Sequence, residues 1–202
     1  MGLIRLLVSA PALFVVLVVP LLYSVIAHEV AHGVCALWFG DDTARRAGRL
    51  TLNPLRHLDP MGTLMLFLAG FGWARPVPVN YANLRPARLG VFCVALAGCA
   101  TNILLAAAAL AALRRGAVAP DSAAEAVLSV VAHINIALAA FNLIPIPPLD
   151  GSRLLLSLLP PVGRRALAAL EPYGFQILIL LLLSGRLDPV IGFMQQLITR
   201  LL

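Results

Sequence analysis

Apolar residues gather into long stretches, and polar, glycine and proline positions cluster between them. The first stretch, residues 11 to 39, ends at Gly40, a natural helix stop. At about 1.5 Å per residue it is long enough to cross a bilayer, with Pro20 placed to kink it. An early arginine and an apolar run give the N-terminus the look of a signal peptide. The run continues past Pro20 to Trp38 without a small-residue cleavage site, so we read it as retained. Residues 40–60 (GDDTARRAGRLTLNPLRHLDP) are polar and turn-rich. Residues 61–74 are apolar again, but too short to span comfortably and interrupted by Gly70 and Gly72; they predict a re-entrant or interfacial segment. GWARPVPVN follows at 72–80, where Pro76 and Pro78 exclude a regular helix and predict an extended or edge-strand piece.

A second long helix is expected over about residues 88–113, stopping at Arg114-Arg115, and a third over about 122–142. The third runs into NLIPIPPLDG, whose three prolines force irregular backbone. At membrane depth such backbone is tolerated only inside protein or against a wet cavity. A short helix is expected to resume at Ser152, and another over about 171–184; residues 188–202 cross back or lie at the interface. No repeat and no appended soluble domain is evident. The expected fold is an all-α polytopic membrane protein with about four to six transmembrane or re-entrant segments and a short extended or β segment near residues 45–80. It reads as a single domain over 1–202, with a core of about 11–159 and C-terminal helices at about 171–202.

Composition agrees with this class. The chain is 61% hydrophobic and 12% charged, values a soluble domain of 202 residues rarely reaches. A net charge of +6 invites a nucleic-acid reading, but the arginines lie between apolar runs, where they set orientation instead. If 61–74 does not cross, residues 40–89 form one face with seven arginines, and 150–171 return to it with three more. Crossing at 61–74 would divide the first seven between both sides. The basic side is therefore expected to be cytoplasmic. Cys35, Cys93 and Cys99 lie in apolar segments without disulfide or zinc-knuckle spacing and read as small core residues.

Inside the first stretch, SVIAHEVAHGVCAL (24–37) sets two imidazoles and a carboxylate among hydrocarbons. His28 and His32 are four apart, so on a helix they project from one face. HExxH at that spacing lets both imidazoles bind one zinc ion, with Glu29 beside it to take a proton from an activated water. The pentapeptide alone is a weak signal. Within a span it is stronger, because every ionisable group there is costly. Two structural histidines bonded to nearby carbonyls would leave Glu29 unexplained. Zinc needs a third protein ligand. Cys35 is too near on the same helix for tetrahedral geometry; His57 and His133 are candidates; Asp150, at a proline-broken helix in PPLDG, is the best placed. Its carboxylate also suits an N-cap for the helix expected at Ser152, and the two roles are compatible.

HEVAHG at 28–33, TLNPLRHLDPMGTL at 51–64, GWARPVPVN at 72–80 and NLIPIPPLDG at 142–151, in this order and spacing, resemble the site-2 protease family. The likeness is to its compact bacterial members without PDZ or CBS domains. It implies an intramembrane zinc metalloprotease that cuts a transmembrane helix of another protein. Residue by residue, it implies one zinc ion held by His28, His32 and Asp150, catalysis by Glu29, and a place near the substrate carbonyl for Asn142. One departure is visible: LAGCATN at 96–102 carries Cys99 where the family commonly has proline, while Asn102 is retained.

The implied partners are a transmembrane protein substrate and the lipid bilayer, with no nucleic acid. The implied location is a bacterial inner membrane, multi-pass, with the site nearer the cytoplasmic face. A substrate helix has its amides bonded internally and must unwind before attack. GWARPVPVN and IPIPP have the extended character to hold the unwound strand by backbone pairing. Among the remaining polar residues, Asn102 and Asn135 read as interhelical hydrogen-bonding pairs, and Ala97 and Thr101 as a close-packing pair. His133 reads as packed and hydrogen-bonded, and His57 as a loop residue or an access residue. Arg153 reads as snorkelling to lipid or pairing with an acid. Two other readings compete: a metal-binding transporter and an inactive relative acting as adaptor. Absent inverted repeats speak against the first, and the intact His28, Glu29, His32 and Asp150 against the second.

Overall fold

The computed structural model describes residues 3–69, 72 and 74–202. Its helices are α1 (Leu3–Ser9), α2 (Pro11–Trp38), α3 (Thr43–Arg46), α4 (Pro60–Ala69), α5 (Ala87–Arg114), α6 (Ala123–Asn142), α7 (Asp150–Leu158), α8 (Pro161–Ala168), α9 (Gly174–Leu183) and α10 (Asp188–Leu201). Among the described residues, β pairing amounts to one isolated bridge, so the chain is all-α. α2, α5, α6 and the stretch 161–183 are each long and apolar enough to cross a membrane. A 3-10 turn at Glu171–Tyr173 interrupts the last of these, which shortens the helix expected over 171–184. The protein is a multi-pass membrane protein.

Local chemistry sets the helix ends. Pro11 opens α2, where its missing N–H costs nothing, and the chain leaves that helix through Gly40 at φ +96°. Ser122 caps α6: its Oγ accepts from the Glu125 N–H, while the Glu125 carboxylate accepts from the Asp121 N–H.

α2, α5 and α6 form the framework. His28 meets Asn102 and His32 meets Val94, so α2 and α5 run antiparallel. Asn135 bonds both Ser24 and Asn102, which draws α6 against the other two. The face of α5 gripped here is a stripe of mostly small residues: Ala95, Gly98, Cys99, Asn102, Ala106 and Ala109. Small side chains let helix backbones approach where lipid offers no hydrophobic drive. Ala97 and Thr101 flank this stripe, half-buried, rather than forming its centre.

α4 has ten residues, about 15 Å of helix. Leu58 and Ala74 bridge, and the Arg75 N–H donates to the His57 carbonyl (2.7 Å), so this excursion leaves and returns at one level. That is a re-entrant course; Gly70, one of its expected interruptions, lies outside the described residues. Residues 75–80 carry no regular structure. Arg153 reaches Tyr81, and Arg88 donates to the Leu159 carbonyl, so the 40–86 and 143–160 connections share one end of the bundle.

In the NLIPIPPLDG break after α6, Ile144, Pro147 and Leu149 are buried while Pro145 and Pro148 are exposed. Ile144 and Leu149 pack against Leu178 and Leu187, and backbone N–H groups of Ile146 and Leu149 bond within the turn. A Cβ on Gly151 would lie 2.2 Å from the Leu143 carbonyl oxygen, so only glycine lets α7 start this close to the end of α6.

Candidate metal centre

The close approach of Gly151 to the end of α6 delivers Asp150 to the two histidines of α2. Asp150 Oδ2 lies 3.0 Å from His28 Nε2 and 3.1 Å from His32 Nε2, and the two Nε2 atoms are 3.0 Å apart. Asp150 is the first residue of α7, whose N-cap is Leu149, so its carboxylate faces the imidazoles rather than capping the helix. This replaces the expectation of a helix starting at Ser152. Gly98 makes the room: a Cβ there would sit 2.5 Å from both His28 Cε1 and His32 Nε2.

The hydrogen bonds fix where the protons are. The carbonyl of Val94 can only accept, so His32 Nδ1 is protonated and donates to it (2.6 Å). The carbonyl of Val131 likewise requires Asn135 Nδ2 as donor (2.8 Å), which leaves Asn135 Oδ1 to accept from Asn102 Nδ2 (2.7 Å). Asn102 Oδ1 then faces His28 Nδ1 at 2.6 Å, so that nitrogen donates. Asn135 also donates to Ser24 Oγ (2.8 Å), and Ser24, Asn102 and Asn135 are all buried. With both Nδ1 positions protonated, two Nε2 lone pairs and a carboxylate oxygen point at one another. Three such ligand atoms repel unless a proton or a metal cation lies among them. His28, His32 and Asp150 offer one ligand atom each, all within 4.8 Å of one another. Two imidazoles and a carboxylate are a zinc donor set of the catalytic kind, with three protein ligands. The residues present therefore fit a metal ion.

Glu29 and Asn142 line a cavity that His28 also borders. Glu29 Oε2 accepts from the Val77 N–H (2.9 Å), so the segment after the re-entrant loop lies against this carboxylate. Asn142 Nδ2 donates back to the Leu138 carbonyl (3.0 Å). Pro76 and Pro78 have no N–H, and those of Arg75 and Val77 are already bonded. The Arg75 carbonyl is engaged as well, accepting from Arg49 Nη2 (2.6 Å).

A family model described as peptidase family M50 matches residues 112–185, which include Asp150 but not the HExxH helix. A Bacillus subtilis protein provisionally named zinc metalloprotease YwhC is 41% identical over 175 residues, covering 83% of this chain and 80% of its own. Two mycobacterial proteins provisionally named zinc metalloprotease Rip2 align as well. The Mycolicibacterium smegmatis one is 31% identical over 89% of this chain and 71% of its own. The Mycobacterium tuberculosis one is 34% identical over 87% and 69%. The chain belongs to peptidase family M50. No solved structure matches it. M50 membership, the site-2-type zinc metalloprotease family, makes zinc the metal this donor set is to be judged against.

Other residues of this M50 chain divide clearly. Cys99, the departure from the family pattern, directs its thiol at Asp150 Oδ2 (3.9 Å) without joining the ligand group. Cys35 is buried elsewhere. His57 is fully buried, and its Nε2 donates to the Thr51 carbonyl (2.8 Å), which pins the polar loop. His133 bonds the Ser129 carbonyl (2.9 Å), but its side chain is exposed rather than packed. Among the described residues Arg153 has no acidic partner; it stacks over the Tyr81 ring, 4.7 Å from the centroid, and bonds the Tyr81 hydroxyl. That tie braces α7 just after Asp150. Sequence reasoning missed the part Asn102 plays at His28, though its place in LAGCATN was a usable signal. The Val77 N–H and the Val94 carbonyl left no signal, because every residue has such groups.

Proposed function

We propose that the protein is an intramembrane zinc endopeptidase that hydrolyses peptide bonds within or near transmembrane segments of other membrane proteins. In this reading His28, His32 and Asp150 hold one zinc ion. The metal, when bound, supplies Lewis acidity toward water and the scissile carbonyl. Glu29 takes the proton from water and passes it to the leaving amine. Asn142 offers its amide N–H to the developing oxyanion, after turning from the Leu138 carbonyl. Asn102 and the Val94 carbonyl keep both imidazole Nε2 atoms turned to the metal.

The supporting observation is the convergence of two imidazole lone pairs and one carboxylate from different helices, with both imidazole protons engaged elsewhere. His28 lies ten residues before the end of α2, about 15 Å along the axis, so the site is below the membrane surface. Arginine placement supports a position of that end of the bundle, and hence of the site, nearer the cytoplasmic face of a bacterial inner membrane. The test is co-expression of wild type or Glu29→Gln with a tagged transmembrane substrate, with zinc content measured on each purified protein. Loss of cleavage with zinc retained is expected. Unchanged cleavage would remove Glu29 from the mechanism, and a wild-type protein without zinc would remove the metal centre.

A further inference from the structure

A cavity of about 370 Å³ lies between α2, α4 and α6. Val18, Leu22, Val25 and Glu29 line it from α2, a stripe about 16 Å long at the helical rise. Leu66 and Phe67 of α4 and Phe141 of α6 form other walls. Its polarity is uneven. Apart from the Thr63 hydroxyl, the polar side chains are His28, Glu29 and Asn142, which cluster where α2 meets the end of α6. Near the other end Phe67 stacks on Phe14, with ring centroids 6.2 Å apart.

This shape suits a particular occupant. A peptide at the site needs polar partners for its backbone and room for the side chains beside the reacting carbonyl. The cavity offers both in sequence: catalytic groups at one end, hydrocarbon beyond. A hydrocarbon tail alone offers Glu29 and Asn142 no hydrogen-bonding group. We propose that the cavity receives a bulky apolar side chain of the unwound substrate, next to the cleaved bond, and that Val25 and Phe141 limit its size. The inference rests on the proteolytic reading above. Val25 precedes His28 and Glu29 by one helical turn, on the face that lines the cavity, and Phe141 directly precedes Asn142.

The test uses the purified full-length, zinc-loaded protein and a transmembrane substrate whose cleaved bond is located by mass spectrometry. Residues flanking that bond are replaced in turn by Ala, Val, Leu and Phe, and cleavage rates are compared. Wild type is expected to favour Leu and Phe over Ala. Val25→Phe, which narrows the cavity beside His28 and Glu29, is expected to shift the preference toward Ala by about tenfold or more. Val25→Ala is expected to shift it toward Phe. Identical preferences in the three proteins would overturn the pocket while leaving proteolysis intact. No Glu29-dependent cleavage of any substrate by wild type would instead overturn the proteolytic reading. An acyl chain that copurifies with wild type and is lost from Val25→Phe, with side-chain preferences unmoved, would assign the cavity to lipid and overturn the inference.

Discussion

An imidazole ligates metal through whichever nitrogen lacks the proton, so the groups behind the ring decide what the ring can do. At His28 that group is the Asn102 carbonyl oxygen, itself oriented by Asn135 and, through it, by the Val131 carbonyl. Asn102→Ala would leave the His28 Nδ1–H buried without a partner. We expect zinc affinity to fall about 10–100-fold, measured by competition with a chromogenic chelator. Gly98→Ala is expected to displace both rings, since its Cβ would sit 2.5 Å from each. Bound zinc should drop to near zero in elemental analysis while circular dichroism still shows the helical bundle. The HExxH spacing was legible from sequence because it is local. Asn102 was legible as polar, but not as the holder of a histidine 74 positions away.

The elements that carry the site are held by their connections. Asp41 is the clearest case. Its buried carboxylate accepts from Thr43, from the Asn83 side chain (2.9 Å) and from the Asn80 N–H (2.8 Å), tying the end of α2 to the segment that leads from the re-entrant loop into α5. Burial alone would raise its pKa; these hydrogen bonds outweigh burial and hold it below the ordinary carboxylate value. The folded state therefore binds the proton less tightly than the unfolded chain does. The stabilisation is complete above the usual carboxylate pKa of about 4 and is lost as pH falls through the lower folded-state value. Protection against hydrogen exchange over residues 80–84, relative to the unfolded-chain rate at each pH, should fall in that acidic window in wild type. In Asp41→Ala it should be low already at neutral pH. Sequence periodicity marked α2, α5 and α6 to within about two residues, because each is a long apolar run between stop signals. The course of α4 was not legible, since a short apolar segment at 61–74 allows several paths. The bridge between Leu58 and Ala74 decides among them.

At the scale of the whole molecule, the 40–86 connection and the 115–122 loop lie at opposite ends of the antiparallel bundle. Arg45→Cys and Ala117→Cys, both at exposed positions, should react with a membrane-impermeant maleimide from opposite sides of oriented vesicles, position 45 from the cytoplasmic side. Labelling of both from one side would break the topology. In the proposed zinc-bound state the metal would join α2 to α7, so it should contribute to stability as well as chemistry. Chelation is expected to lower Tm, because it leaves two lone pairs and a carboxylate about 3 Å apart without a cation. Readdition of zinc should restore it.

The sequence by itself determined the membrane class, the long helices and the HEVAH pair, because hydropathy, proline breaks and helical spacing are properties of neighbours in the chain; it offered Asp150 beside His57 and His133 as a partner, and the family resemblance singled Asp150 out. Tertiary structure alone decided which imidazole nitrogens are free, that Gly98 and Gly151 clear the space for the ligands, and that the Val77 N–H meets Glu29. Those outcomes depend on backbone groups that every residue carries, and only the packing of distant segments selects which of them meet a side chain.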